Sequence, residues 1–307
     1  MPSGGRVMSY LTAKNCCAVA VAALLLLSAA ELCLAADPWA DRVRSFQPGA
    51  GAGFGADQLP TIVLGPPVGA GALEGSSHVV SLGNGGSLTL SFRDNLVFDG
   101  PGDDLVVFEN AFYVGGNAEQ VFTEFAFVEV SDDGRRWLRF DFDPATGLGL
   151  AGRTPVWAGV EVDPLGPSAG GDRFDIADLG LSFVRYLRLV DVDGQVADLG
   201  DSLPPAGSAG FDLDAAAALN SSRPGRVLGR VLSAGAPVAG ARVKLVPLGD
   251  GRRLRRRTRD SGRFRFARVL PSGDYRLKAR LPGKPWTTAL VYLDLEQLLV
   301  SRDLQLQ

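Results

Sequence analysis

The chain has 307 residues, 46% apolar and 21% charged, so it is neither a disordered polar chain nor a multi-span membrane protein. Its 39 Gly and 19 Pro follow no collagen period and indicate many turns between short strands. With only three Cys and one His, most thiolate and imidazole chemistry is excluded.

The first segment, 1–35, has the organisation of an export signal. Two basic residues precede an apolar run at 16–30, and a small-residue site, Cys-Leu-Ala at 33–35, follows. The run is shorter than the roughly 20 residues of a membrane-spanning helix. We therefore expect a cleaved signal peptide, with an uncleaved N-terminal anchor as the alternative. The mature protein is then secreted, periplasmic or at the cell surface, with no transmembrane span after cleavage.

All three cysteines, Cys16, Cys17 and Cys33, lie in this segment. The exported chain would therefore contain no cysteine. That excludes disulfides, thiolate metal sites and cysteine nucleophiles together.

The charges divide the rest of the chain in two. Residues 36–220 contain 10 Lys+Arg and 27 Asp+Glu, whereas residues 221–307 contain 19 and 6. The net charges of −17 and +13 change sign at a Ser-, Pro- and Gly-containing stretch. We predict a linker at 221–225 between a domain at 37–220 and a domain at 226–307.

The acidic region has the pattern of an all-β domain. Apolar and polar residues alternate at 88–93, as in a strand with one buried face. Apolar or β-rich runs follow at 104–109, 125–130 and 183–190, separated by Gly, Pro, Asp and Asn clusters. Only 212–219 (DLDAAAAL) has a helical character, and a last strand or a short turn fits there as well.

Three segments carry a resemblance to a known fold: 127–134 (FVEVSDDG) with Trp137, 183–190 (FVRYLRLV) and 210–214 (GFDLD). They resemble the galactose-binding-like, or discoidin-like, jelly-roll β-sandwich of bacterial cell surface proteins, although Val184 stands where that family usually has Ala. The resemblance implies a glycan as ligand and a structural calcium ion near the acidic loops.

The basic region shows three ordered motifs: 235–245 (GAPVAGARVKL), 260–266 (DSGRFRF) and 270–277 (LPSGDYRL). They resemble the carboxypeptidase regulatory-like domain, a small transthyretin-like or Ig-like sandwich. Alternation predicts apolar faces inside and cations outside, with Gly262 and Gly273 at turns that need positive φ. A zinc peptidase needs several His and carboxylate ligands, which His78 alone does not supply.

The acidic loops hold the candidate metal ligands. Oxygen atoms at alternate positions around a glycine suit calcium, although ordinary Asp-Gly turns explain the same spacing. The first candidate calcium site comprises Asp191, Asp193, Asp198 and Asp201. A weaker candidate comprises Asp99, Asp103 and Asp104.

Evidence for catalysis is sparse in the sequence. His78 is the one residue that could serve a Ser-His-Asp triad, and no nucleophile elbow is present, so a structural or surface His is the preferred interpretation. A glycosidase needs two carboxylates, and several fall near strand ends. These are Asp103, Asp104, Glu109, Glu124 and Glu129. Their abundance makes the pattern non-specific.

Six arginines are concentrated in the eight residues 252–259: Arg252, Arg253, Arg255, Arg256, Arg257 and Arg259. Export and the absence of interleaved aromatics argue against nucleic acid. Three interpretations stay open: a solvated strand face, contact with the acidic domain, or binding of an anionic envelope polymer. Trp137 and Trp157 are possible aromatic platforms, although core positions explain both more simply.

These observations predict an exported, non-catalytic surface or envelope protein that binds a glycan or another surface ligand. The acidic sandwich would carry the ligand site in its loops, and the basic sandwich would serve as stalk or docking piece. An envelope carbohydrate-active enzyme with an Asp/Glu pair is the alternative. A purely structural envelope component is the third hypothesis.

Overall fold

The computed structural model describes residues 37–69, 73–157, 162–197, 209–249 and 252–307. All of them except Asp37 belong to one compact unit, Pro38–Gln307, which contains two β-sandwiches in succession. The all-β fold class is thereby confirmed. The predicted signal peptide, Asp198 and Asp201 lie outside the described residues. Within the described part, no helix combines the length and apolarity needed to cross a membrane.

The first sandwich consists of short strands joined by long loops. Its strands are β1 (Arg42–Gln47), β2 (Val80–Ser81), β3 (Ser87–Ser91), β4 (Leu96–Phe98), β5 (Leu105–Phe108), β6 (Phe112–Tyr113), β7 (Val121–Phe122), β8 (Ala126–Ser131), β9 (Leu138–Arg139), β10 (Asp172–Phe174), β11 (Phe183–Val184), β12 (Tyr186–Asp191), β13 (Asp212–Leu213), β14 (Ala215–Ala218) and β15 (Ser221–Ser222). Short 3-10 helices occur at Ala56–Gln58, Thr61–Val63, Val114–Gly116, Pro167–Ala169 and Ile176–Leu179.

A five-stranded sheet forms one layer of this sandwich, in the order β1-β3-β12-β8-β9. The sheets β10-β5-β14 and β11-β4-β15 lie opposite, and all these neighbours pair antiparallel. One apolar core joins the layers, with Leu88 and Leu187 from the first and Leu105 and Ala216 from the second. Each side chain that alternates inward from either layer therefore loses its contact with water.

The segment 212–219 is strand, not helix. Ala215–Ala218 form β14 and pair with β5. Ala216 and Ala218 face the main core, while Ala215 and Ala217 face a second apolar cluster with Trp39 and Val106. Both faces are covered, so small side chains suit this strand. Packing here outweighs the helix propensity of alanine.

The second sandwich uses longer strands. They are β16 (Gly225–Ser233), β17 (Ala236–Pro237), β18 (Arg242–Pro247), β19 (Leu254–Arg257), β20 (Arg263–Val269), β21 (Gly273–Arg280), β22 (Thr287–Leu293), β23 (Leu299–Ser301) and β24 (Leu304–Leu306). One sheet has the order β17-β16-β20, with β23 and β24 parallel to β16, and the other is β19-β18-β21-β22. Gly262 and Gly273 have φ of 65° and 103°, as their turn positions predict.

The predicted linker at 221–225 is shorter in the structure. Ser221–Ser222 pair with β4, and Gly225 already begins β16. Only Arg223 and Pro224 lie between the two sandwiches. Arg185 connects the sandwiches as well, because its Nη2 donates to the carbonyl of Arg268 at 3.0 Å.

Candidate functional site

The outer face of β19-β18-β21 carries rows of positive charge. Strand β18 buries Val243 and Leu245, so Arg242 and Lys244 point to the opposite, outer face. The register of the neighbouring strands places more cations beside them. The two rows are Arg257–Arg242–Arg280 and Arg255–Lys244–Lys278. We call these six residues the cationic face.

The cationic face has no acidic compensation among the described residues. The described residues form four ion pairs, and none of these includes a residue of the cationic face. The pKa of Lys244 is lowered, first by desolvation and then by the charges of Arg255 and Arg280. Like charges directly opposite on neighbouring strands destabilise a sheet. The fold thus tolerates a repulsive arrangement that an anionic ligand would relieve.

Trp286 lies within this face. Lys244 Nζ is 4.8 Å from the centre of a Trp286 ring, and Arg280 Cζ is 4.5 Å from it. Together with every member of the cationic face except Lys278, the indole lines a groove of about 290 Å³. Cation–π contacts of this kind fix the long basic side chains over the sheet. Trp286 was not among the predicted site residues, and its position just before β22 is the one sign of it that the sequence offers.

The predicted arginine cluster is divided by the structure. Arg255 and Arg257 belong to the cationic face, whereas Arg256 turns to the other side of β19, where its Nε donates to the Arg265 carbonyl at 3.2 Å. Arg259 is exposed beyond the strand end. The alternation of side chains along a strand explains this division.

Arg252 and Arg253 lie at the border between the sandwiches. They line a cleft of about 790 Å³ whose other wall includes Asp132, Asp133 and Arg136. The acidic wall therefore carries cations of its own, and no ion pair joins Arg252 or Arg253 to it within the described residues. The expected docking on the acidic domain brings the groups near one another without pairing them.

The candidate calcium residue Asp191 organises the backbone. Its Oδ1 accepts hydrogen bonds from the N–H groups of Gly85 at 2.8 Å and Asp193 at 2.9 Å, and its Oδ2 accepts one from Phe211 at 2.8 Å. Asp193 is exposed and has a φ of 49°. A calcium ion on these residues stays a prediction, because Asp198 and Asp201 lie outside the described residues.

At the weaker candidate, Asp99 and Asp104 meet Asp175 instead of Asp103. Their ligand oxygens all lie within 4.8 Å of one another. Both oxygens of Asp104 already accept hydrogen bonds, Oδ1 from Gly100 and Oδ2 from Ile176. Burial raises the pKa of Asp104, and these hydrogen bonds partly offset the rise. Asp175 lies too far along the chain for a local motif to reveal it.

The carboxylates proposed for catalysis have different surroundings. Glu129 lies between Arg139 and Arg188, with Nε–Oε distances of 3.1 and 2.6 Å. The two arginines therefore neutralise the negative charge of Glu129. Asp103 is exposed, while Glu109 and Glu124 are buried. The five carboxylates therefore do not share one environment.

His78 contacts one of the buried acids. Its Nδ1 is 3.5 Å from Oδ1 of Asp214, and the Val68 N–H also donates to that carboxylate. Burial raises the pKa of Asp214 to about 7, against the opposing effects of Val68 and His78. This arrangement ties the segment with Val68 and His78 to the junction of β13 and β14, as expected of a structural histidine.

The two candidate tryptophan platforms differ. Trp137 is half-buried, with Arg188 Cζ 4.3 Å from its ring centre. Trp157 is 46% exposed and lies edge-on to Tyr113 at 6.2 Å between ring centres. The core interpretation is therefore wrong for Trp157.

Residues 226–307 match the family model of the carboxypeptidase regulatory-like domain. The resemblance seen in the second half of the sequence is thereby confirmed for that domain. No curated protein sequence matches the chain.

Three solved structures are similar to parts of the chain. The dioxygenase domain of a dioxygenase carbohydrate-binding protein fusion from Streptomyces sp. SirexAA-E is 21% identical over 27% of this chain and 81% of its own, with a TM-score of 0.21. A DUF3823 family protein from Parabacteroides merdae is 20% identical over 27% of this chain and 45% of its own, with a TM-score of 0.22. The major pilin subunit of Bacillus cereus is 8% identical over 72% of this chain and 63% of its own, with a TM-score of 0.25.

Proposed function

We propose that this chain is an exported, non-catalytic surface or envelope protein that binds an anionic polysaccharide on the cationic face of its second sandwich. The observation that carries this proposal is the pair of uncompensated cation rows, Arg257–Arg242–Arg280 and Arg255–Lys244–Lys278. The sequence predicted the ligand site in the loops of the acidic sandwich, whereas this proposal assigns it to the basic sheet.

The linear layout of the rows favours a linear polymer. Neighbouring strands lie about 4.8 Å apart, so a chain laid across β19, β18 and β21 meets a cation at each strand. Each exposed contact contributes little, about 0–1 kcal/mol, and is screened by salt. Affinity must therefore come from several contacts at once, which a repeating polyanion supplies.

The predicted export signal and the acidic sandwich both support binding of an envelope polymer on the cationic face. Export would bring the face to envelope polymers, and the acidic sandwich, with its net charge of −17 over 36–220, would repel the same polymer from the rest of the molecule. Orientation of the bound polymer would follow from that repulsion.

A binding isotherm with polygalacturonate, which has one carboxylate per sugar, tests the proposal. We expect binding at 50 mM salt that is lost at 0.5 M, and none to neutral dextran. The variant Arg242→Gln/Lys244→Gln/Arg255→Gln should bind at least about ten-fold more weakly, a loss of about 1.4 kcal/mol.

The matched control removes three exposed cations from the other sheet, as Arg226→Gln/Arg263→Gln/Arg265→Gln. It should change the affinity less than about two-fold, because the net charge falls equally but the rows survive. Equal losses in both variants would contradict a specific face. Binding to anionic lipid vesicles but not to the polymer would replace the polysaccharide with a membrane surface.

A further inference from the structure

Glu109 is a buried carboxylate whose charge is not accounted for by the structure around it. It follows β5, is 2% exposed, and neither Oε1 nor Oε2 accepts a hydrogen bond of normal geometry within the described residues. An ionised carboxylate is expensive to bury unless it is paired or coordinates a metal. Glu109 is therefore either protonated or neutralised by a cation.

Other carboxylates converge on Glu109. Asp172 begins β10 opposite Val107 of β5. Asp212 lies in β13, just before β14, whose Ala215 is opposite Phe108 of β5, and the charges of both acids act on Glu109. Glu124, Asp172 and Asp212 are each 6% exposed. Oδ1 of Asp212 has no partner of normal hydrogen-bond geometry in the described part of the chain either, although the Ser81 and Asn110 side chains are close enough to lower its pKa. We call Glu109, Glu124, Asp172 and Asp212 the buried acid cluster. Both oxygens of Asp172 already accept hydrogen bonds, so Asp172 contributes charge to the cluster and not a free ligand.

Most of the groups around Glu109 disfavour its ionised form. Its pKa is raised well above the usual range, first by burial and then by the charges of Asp212 and Glu124; the Asn110 N–H offsets this only in part. Burial likewise raises the pKa of Asp212 to about 6. No Lys, Arg or His that could supply a cation occurs in the internal segments outside the described residues, which are 70–72, 158–161, 198–208 and 250–251.

We propose that the buried acid cluster is a divalent cation site in which the unpartnered carboxylate of Glu109 and Oδ1 of Asp212 are the principal ligands. Carboxylates without His or Cys select a hard cation. Calcium fits best, because it accepts irregular sets of six to eight oxygens, including backbone carbonyls and water, whereas magnesium demands a near-octahedral set and retains its waters. The second acidic group, Asp99–Asp104–Asp175, has closer oxygens, but those of Asp104 are already engaged by N–H donors.

Thermal unfolding of the full chain in 2 mM EDTA and in 2 mM CaCl₂ at pH 7.5 tests the site. Calcium should raise the Tm by about 5 °C, because an ion that binds only the native state stabilises it by mass action. Glu109→Gln, which has the shape of the protonated acid, should abolish that rise while unfolding in EDTA at or above the wild-type temperature.

Two control variants distinguish the rival acidic groups. Asp175→Asn and Asp193→Ala should both retain the rise, because they alter the other two candidate sites. No rise in the wild-type protein, or a rise that survives Glu109→Gln, overturns the proposal. Loss of the rise in Asp193→Ala alone would locate the ion at Asp191 instead.

A direct titration protects the test against a variant that does not fold. The wild-type protein is titrated with CaCl₂ by calorimetry in two buffers of different ionisation enthalpy. We expect proton release on binding at pH 6, because the ligands must be deprotonated. Asp212→Asn should weaken calcium binding at least about ten-fold. Binding with no proton release, or with unchanged affinity in Asp212→Asn, would exclude the cluster as the site.

Discussion

The two sandwiches use charge in opposite ways. The buried carboxylates of the described residues all lie in the first sandwich: Asp104, Glu109, Glu124, Glu129, Asp172, Asp191, Asp212 and Asp214. In the second sandwich the one buried polar side chain of the described part is Thr258, and every Lys and Arg there is at least partly exposed. The first region therefore buries a share of its carboxyl groups, whereas the second keeps its cations at the surface.

Strand length explains the difference. The first sandwich has strands of two to six residues and long loops, whose backbone N–H groups lack partners in a sheet. Carboxylates such as Asp172 and Asp191 accept those hydrogen bonds. The second sandwich, with strands of up to nine residues, satisfies its backbone through sheet pairing and keeps its cations free for the surface. Net charge alone does not reveal this contrast.

Removal of a backbone-organising acid should have the largest effect. Asp191→Ala leaves the N–H groups of Gly85, Asp193 and Phe211 without their acceptor, and the Phe211 N–H is buried. We expect a loss of about 3 kcal/mol in the free energy of unfolding, measured by urea denaturation in EDTA. The exposed neighbour provides the control, since Asp193→Ala should change it by less than about 0.5 kcal/mol. Similar losses in the two variants would contradict the internal role of Asp191.

Relief of repulsion on the cationic face should have a smaller effect of the opposite sign. Arg255→Thr removes a cation opposite Lys244 and introduces a residue that favours strands. The free energy of unfolding should rise by about 0.5 kcal/mol at low salt, and the gain should vanish at 0.5 M salt. Arg263→Thr, on the other sheet, is the comparison. A destabilised Arg255→Thr would show that the rows are not in conflict.

The smallest effect concerns Asp132, at the border of the two regions. Burial, followed by the charge of Asp133, raises its pKa above the ordinary value. A carboxyl with a raised pKa in the folded state favours folding at acid pH, and its contribution is lost as the pH rises through that pKa. Asp132→Asn should remove this decline above pH 4. Because the group is half-exposed, we expect less than about 1 kcal/mol. An unchanged pH profile of stability in the variant would contradict this account.

The strands could be predicted from the sequence better than their partners could. The alternating 88–93 run covers all of β3 except its first residue, and 104–109 contains β5. Thr89 and Ser91 are nevertheless buried, although alternation placed them on an exposed face, because β3 is an internal strand between β1 and β12. Local patterns specify which residues alternate, whereas neighbouring elements decide what covers each face.

The cationic face shows the same limit. The sequence marks the arginines at 252–259 as a cluster, but only strand register reveals that Arg255 lies opposite Lys244, which in turn lies opposite Lys278. Register also separates Arg256 from its neighbours. Long-range pairing likewise brings Asp175 to Asp104, and the pairing of β14 with β5 brings Asp212 near Glu109. Sites assembled from distant strands leave no short motif to find.

Amide hydrogen exchange of the chain with and without oligogalacturonate tests the central claim, that the displayed cations of the second sandwich are the binding surface. Bound oligosaccharide should slow exchange in β18, β21 and the segment at Trp286, and should leave the loop around Asp191 unchanged. Protection confined to the acidic loops of the first sandwich, with none on β18 and β21, would contradict the claim.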